Sequence, residues 1–413
     1  MDLNFTAEDI AFRAKVRAWL QANMPGKLQT FEDRRRWHRK LYDAGFIGMG
    51  WPVEYGGQAA RPMQQAIVAE EMALAGAPGY LNGLAIGFLG PTLVHHGSEA
   101  QKQRYVRNML TADELWCQLY SEPDAGSDLA GLKTSAVRDG DDWIINGQKV
   151  WTSQGMVSDF GMALVRTDPT VSKHQGISYF IIDMKSPGVE VRPLKQITGG
   201  AEFAEVFLTN VRVPGENLIG ELNKGWQYAQ TTLGYERGGS ILQRATAFRQ
   251  QFNRTVEVCK TLKRNGQPAL EDPLVRQKLG TILVEIENLR YTGLRILSKL
   301  DRGERPGPET AVDKLNYTEL HKRHTELIME ILGPYGYVDV GLPDELKLKE
   351  TADAYEPGTW TWDFLYAKAA TIYAGTSQVQ KNIIGERVLG LPKEPGPPKE
   401  TPFRELKVGT QST

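Results

Sequence analysis

Gln118-Leu-Tyr-Ser-Glu-Pro-Asp-Ala-Gly-Ser-Asp-Leu-Ala130 is the stretch on which the reading of this chain depends. A β-like run, Trp116 to Tyr120, leads into a turn of Pro, Gly, Ser and Asp. Pro123 fixes its own φ, and Gly126 is expected to free the backbone where a side chain would clash. Such a turn can aim backbone N–H groups and the hydroxyls of Ser121 and Ser127 at a polar ring or an oxyanion. A hairpin follows: 134–138, a turn at Asp139-Gly140, then 143–152. It ends in Lys149-Val-Trp-Thr-Ser153, an aromatic plate beside two hydroxyls. A flat heteroaromatic cofactor would suit this arrangement. An ordinary Gly-Pro turn beside a core tryptophan satisfies the same residues, and on composition alone that plainer reading has the better claim.

Around this stretch the pattern changes twice. Residues 3–114 read as helical, opening on a capping box in which Thr6 is the cap and Asp9 its acidic partner. From 115 to 220 the period is two, with strands expected at 143–151, 160–167, 177–184, 189–193 and 203–213. From 225 onward four long helical blocks are expected, at 225–262, 273–302, 309–332 and 362–389. The fold class is therefore multidomain α+β. An N-terminal α-helical domain (1–114) precedes a middle antiparallel β-barrel or sandwich domain (115–220) and a C-terminal four-helix bundle (221–392). The stretch 393–413, rich in Pro, Lys and Glu, is expected to be a mobile tail.

Bulk properties narrow the function. The 413 residues are too many for one simple core. A net charge of −1 gives no broad field for nucleic acid or an anionic membrane. No apolar run is long enough to span a bilayer, and the N-terminus has no signal-peptide pattern. Cys117 and Cys259 give neither metal spacing nor a disulfide framework, which fits a cytoplasmic protein. His95 and His96 are adjacent and point to different faces, so no metal site is expected.

Ser121-Glu-Pro-Asp-Ala-Gly-Ser-Asp128, followed by Asn146-Gly-Gln-Lys-Val-Trp-Thr-Ser153, resembles the signature of the acyl-CoA dehydrogenase flavoproteins. A second signature, Ile372-Tyr-Ala-Gly-Thr-Ser-Gln-Val-Gln380, stands in the expected order, and the likeness runs from about Phe5 to Pro392. The resemblance implies FAD and an acyl-CoA thioester. A carboxylate takes the α proton, and the β hydrogen leaves as hydride to the flavin. In many members the base directly follows the signature tyrosine; here that position is Ala374. A minority, similar to isovaleryl-CoA and long-chain dehydrogenases, carries the base on the first bundle helix, directly before an arginine. Glu236 before Arg237 matches that arrangement. The resemblance then gives Glu236 as base and the Ala374 backbone N–H as donor to the thioester carbonyl.

It also assigns Gln118, Tyr120, Ser121, Gly126, Ser127, Trp151 and Ser153 to FAD. From a second subunit, Arg276, with Leu279, would meet the cofactor's pyrophosphate side. Gly333, Thr376 and Gln378 complete the cofactor set, while Ser127, Arg237 and Tyr373 would touch substrate. Gly234, Glu330 and Pro334 depart from the family pattern. The run 344–362 looks long and suggests a modified acyl pocket for bulky or ring-bearing groups. The expected partners are an electron-transferring flavoprotein and further subunits, as a homodimer, homotetramer or heterotetramer. Two alternatives remain open: a catalytically silent subunit of a heterotetramer, motivated by Ala374, and an acyl-CoA oxidase.

Overall fold

The computed structural model describes residues 5–238, 241–304, 307–337, 343–348 and 359–407, without the side chains of 236–238, 241 and 344. Five helices come first: α1 (Ala7–Asn23), α2 (Phe31–Asp43), α3 (Pro62–Ala75), α4 (Gly90–His96) and α5 (Glu99–Thr111). Seven strands follow: β1 (Trp116–Leu119), β2 (Ser135–Asp139), β3 (Asp142–Ser153), β4 (Phe160–Arg166), β5 (Ile177–Asp183), β6 (Val189–Leu194) and β7 (Phe203–Val213). The C-terminal helices are α6 (Gly225–Gly238), α7 (Ile241–Thr261), α8 (Pro273–Asp301), α9 (Thr310–Leu332), α10 (Trp360–Ala370) and α11 (Ser377–Ile383). The order is N-terminal helices, a middle β-sheet and a C-terminal helical domain.

Contacts divide the chain into two compact units that do not follow sequence order. One comprises Met1–Trp37, Ala60–Gly79 and Arg237–Pro392; the other comprises His38–Ala59, Tyr80–Glu236 and Lys393–Thr413. The N-terminal helices are thus shared out, where the sequence suggested one block of 1–114. The reason is burial. Ala66 on α3 packs with Leu242, Leu294 and Leu297 of the C-terminal helices. Glu70 and Glu71 of α3, nearly fully buried, meet Arg290 and Arg17 at 2.8 Å each. The Thr6–Asp9 box forms as expected and starts α1, with the Asp9 amide donating to Thr6 Oγ1 at 3.1 Å.

In the helical unit α7, α8 and α9 pack around Phe252, Leu279, Ile282, Ile286, Leu320 and Ile328. Two expected long helices are interrupted. The block 225–262 becomes α6 and α7. The block 362–389 breaks at 371–376, where Ala374 (φ +53) and Gly375 (φ +89) take left-handed backbone that ends an α-helix.

In the sheet unit the pairing order is β1-β4-β2-β3-β7-β6, with β5 on β4. The sheet was expected to be antiparallel throughout, but β1 and β4 pair in parallel. Two irregularities interrupt β3 against β7, between Ile145 and Gly147 and between Lys149 and Thr152. Gly147 is required by close approach: a Cβ there would lie 2.3 Å from Thr134 Oγ1.

The expected mobile tail is instead docked, at least over 402–404. The Phe403 amide donates to the Val171 carbonyl (2.8 Å), and its ring lies 3.6 Å from the Arg166 guanidinium carbon. Arg166 is 4% exposed and donates to the carbonyls of Ala130 (2.6 Å), Leu132 (3.2 Å) and Lys173 (2.6 Å). Composition suggested a tail because Pro and Lys dominate; one aromatic residue supplies the anchor. Deleting 393–413 is expected to cost about 2 kcal/mol, the scale of a desolvated cation–π contact. Urea unfolding checks this, and an unchanged midpoint would contradict it.

Candidate active site

The turn after β1 is tighter than its sequence suggested. Glu122 and Ala125 exchange both backbone hydrogen bonds at 3.0 Å, leaving Pro123 and Asp124 at the tip. The Val150 amide donates to the Ser121 carbonyl at 2.9 Å, which joins this turn to β3. The join falls where β3 loses register with β7, and the next residue, Trp151, has φ +59. A non-glycine residue there is strained, and such strain gathers at ligand sites. Here it turns the indole outward, leaving Trp151 57% exposed. The core-tryptophan reading of this residue does not hold.

Around this junction stand groups that the chain leaves unpaired. The side-chain Nε2 of Gln118 and the Oγ1 of Thr152 are buried without a hydrogen-bond partner among the described residues. The sequence marked Thr152 as one of two hydroxyls beside the plate but assigned the cofactor to its neighbours Trp151 and Ser153. Gly126 was expected to relieve a clash, but a Cβ there would meet nothing within 4 Å. Its bareness is not needed for packing; it keeps open a surface beside exposed Ser127. An outward plate, buried unpaired donors and an open glycine turn fit a planar polar ring such as a flavin. Tyr120 contributes less than expected: its ring is buried and its hydroxyl meets that of Tyr179 at 2.9 Å. Ser121 and Ser153 are half-buried beside the junction.

The remaining expected residues, apart from Glu236, lie on the helical unit. Tyr373, Ala374 and Thr376 share the turn between α10 and α11, and Gln378 lies in the first turn of α11. Thr376 caps α11 by accepting from the Val379 amide (3.1 Å), and Gln378 is exposed. Two residues not expected to matter hold this turn. Ser377 Oγ donates to Glu319 (2.8 Å), and buried Gln380 donates to the carbonyls of Ala374 (3.4 Å) and Gly375 (3.3 Å). Among the described residues the Ala374 amide has no acceptor.

Arg276 is exposed on the first turn of α8, and Gly333 (φ +55) ends α9. Lys278 meets Glu330 at 2.6 Å, so the start of α8 and the end of α9 lie together, and the unusual Glu330 has an ion-pair partner. Glu319 and Glu330 are about 16 Å apart along α9 at 1.5 Å per residue, so Arg276 and Gly333 are not at the signature turn of their own subunit. Leu279 was expected at the cofactor, but it is 4% exposed and its side chain belongs to the helical core. The side chains of Glu236 and Arg237, and most of 344–362, lie outside the described residues; the Glu236 backbone is in α6.

Beneath the cradle lies a fully buried ion pair, Lys149 with Glu122 at 2.8 Å. Lys149 Nζ donates also to the carbonyls of Tyr120 (3.1 Å) and Leu164 (2.8 Å), which uses its three protons. Glu122 also accepts the amides of Lys133 (2.7 Å) and Thr134 (2.9 Å). Burial alone would push the Glu122 carboxyl up, but the Lys149 charge and these donors together hold it below its ordinary range. Burial pulls the Lys149 ammonium down, and Glu122 only partly restores it. Lys149→Met is expected to cost about 3–5 kcal/mol by stranding the carboxylate, and Glu122→Gln/Lys149→Met to cost clearly less. Urea unfolding of both variants checks this; equal losses would contradict it.

Three family matches cover the chain in order: the acyl-CoA dehydrogenase N-terminal domain over 6–113, the middle domain over 117–211 and the C-terminal domain over 223–389. Acyl-CoA dehydrogenase IpdE1 of Mycobacterium tuberculosis is 37% identical, over 93% of this chain and 98% of its own. The solved steroid ACAD Tcur3481-Tcur3483 is 28% identical, with a TM-score of 0.79, over 95% of this chain and 100% of its own. The ChsE4-ChsE5 complex of Mycobacterium tuberculosis is 29% identical, with a TM-score of 0.79, over 95% and 100%. Members of this family are FAD-dependent oxidoreductases that act on acyl-CoA. With both signatures in place, and all three domains matched, the chain belongs to the acyl-CoA dehydrogenase family.

Proposed function

We propose that this chain dehydrogenates a ring-bearing acyl-CoA to the 2,3-enoyl-CoA and passes its electrons to an electron-transferring flavoprotein. The junction of Val150 with Ser121 carries the reading, because it joins the strand bearing the Trp151 plate to the turn after the strand bearing the Gln118 amide, unpaired among the described residues. FAD held there would supply the acceptor for the β hydrogen. Gln118, the Tyr120 and Ser121 backbone, Gly126, Ser127 and Ser153 hold its ring, and Trp151 excludes water from one face. Arg276 and Gly333 serve the cofactor of a neighbouring subunit, which requires at least a dimer. Thr376 and Gln378 complete that set.

Glu236 takes the α proton. The Ala374 amide donates to the thioester carbonyl, lowering the cost of the charge that develops there. Left-handed backbone at Ala374 and its unpartnered N–H support this role. Arg237 and Ser127 bind the CoA arm, and Tyr373, 39% exposed, lines the acyl group. The steroid relative supports a ring-bearing substrate.

A second reading is a subunit of a mixed assembly whose partner supplies the base. Ala374 and the two-component relative favour it. Purifying the chain alone and following flavin bleaching by acyl-CoA separates the two.

Glu236→Gln is expected to keep bound FAD, read by visible absorbance, while turnover falls at least about a hundredfold, the loss usual for a general base. Near-normal turnover would overturn the assignment.

A further inference from the structure

Beside the Tyr373–Ala374 turn the helical unit holds a group of charges that its own packing does not consume. Asp313 on α9 is 1% exposed, and its Oδ2 meets Arg244 Nη1 at 3.3 Å. Its other oxygen, Oδ1, is buried with no hydrogen-bond partner among the described residues. Burial pushes the Asp313 carboxyl up to about 6, with Arg244 partly opposing. The Arg244 guanidinium lies 4.4 Å over the Tyr317 ring, and its side chain is 22% exposed. Among the described residues only its Nη1 is hydrogen-bonded. On α10, Trp362 stacks on Tyr366 at 4.7 Å, and the buried Trp362 Nε1 also lacks a partner. Tyr366 in turn lies 6.0 Å from Tyr373, the exposed tyrosine of the second signature. Lys314, next to Asp313, is spent on the Ala370 carbonyl at 3.0 Å and lies 6.0 Å from the Tyr373 ring.

A structural ion pair inside a helix bundle uses its lone pairs, because a buried unsatisfied oxygen is costly. Asp363, on the same helix as Trp362, does so: one oxygen takes His321 (2.8 Å) and the other takes Gln251. Asp313 does not, and the indole N–H of Trp362 is likewise idle. A free acceptor and a held guanidinium near a signature tyrosine exceed what a plain aliphatic acyl chain would use. Such a chain calls for an apolar wall.

We propose that Arg244 and Asp313 form a polar subsite that hydrogen-bonds a ketone or hydroxyl oxygen borne on the ring of the acyl group. Arg244 donates to a ketone; Asp313 Oδ1 accepts from a hydroxyl. Asp313 and Tyr317 position the guanidinium. This rests on the acyl-CoA reading above and narrows its substrate to oxygen-bearing cyclic acyl-CoAs.

The test compares 3-(2-oxocyclohexyl)propanoyl-CoA with 3-cyclohexylpropanoyl-CoA on the FAD-loaded full chain. Dissociation constants are read by calorimetry and kcat/KM by flavin reduction. The wild type is expected to favour the ketone at least about tenfold, the size of one buried hydrogen bond. Arg244→Met should abolish that preference while leaving the cyclohexyl compound within about threefold. Asp313→Asn, which keeps the side chain's shape, should also weaken the preference and decides the matter if Arg244→Met does not fold. Equal handling of the two compounds by the wild type, or equal losses on both in the variants, would overturn the subsite while leaving the dehydrogenase intact. Failure of these and of straight-chain acyl-CoAs to bind or reduce the flavin would overturn the functional reading, and the subsite with it.

Discussion

The buried pair of Lys149 and Glu122 is the constraint on which the rest of the cradle depends. Two charges out of water are tolerated only when every lone pair and proton is used. Here Lys149 ties the end of β1 and strand β4 to the turn, while Glu122 pins the amides of Lys133 and Thr134 ahead of β2. Three separate stretches of chain thus converge on one ion pair. With its neighbourhood fixed, β3 can depart from its register just after Lys149 and turn Trp151 outward.

That arrangement gives the proposed cofactor region a sheet for its base rather than a free loop. A loop would carry the same amides but would have to order them on binding. A turn closed by paired backbone bonds and braced from below is ordered beforehand. Arg166 extends the bracing by holding the carbonyls of Ala130 and Leu132, and Phe403 covers Arg166 from the C-terminal end of the chain. The second signature uses a similar device: Gln380 and Ser377 hold a left-handed turn at Ala374.

Much of this was legible in the sequence because it is local. Alternation located β3 to β7 closely, and the Thr6–Asp9 box marked the start of α1. What escaped was decided at long range. The division of the N-terminal helices between two units follows from buried Glu70 and Glu71, which meet arginines in two other parts of the chain. The parallel pairing of β1 with β4 leaves no signal in a period of two. Lys149 read as part of a motif, not as its support, because a buried lysine is identified only by its partners. The Thr152 hydroxyl was noted but given no role, because the irregularity in β3 upsets the simple alternation that would have assigned it a face. The Phe403 anchor was hidden by a composition typical of loose tails.

The most direct measurement of the account is the FAD dissociation constant of Glu122→Gln/Lys149→Met against the wild type, followed by flavin fluorescence on the apoprotein. Neither residue is expected to touch the cofactor, so any effect must pass through the shape of the cradle. The account predicts weakening by about tenfold or more in a chain that still folds. An affinity equal to that of the wild type would show that the cradle keeps its shape without the pair, and would contradict it.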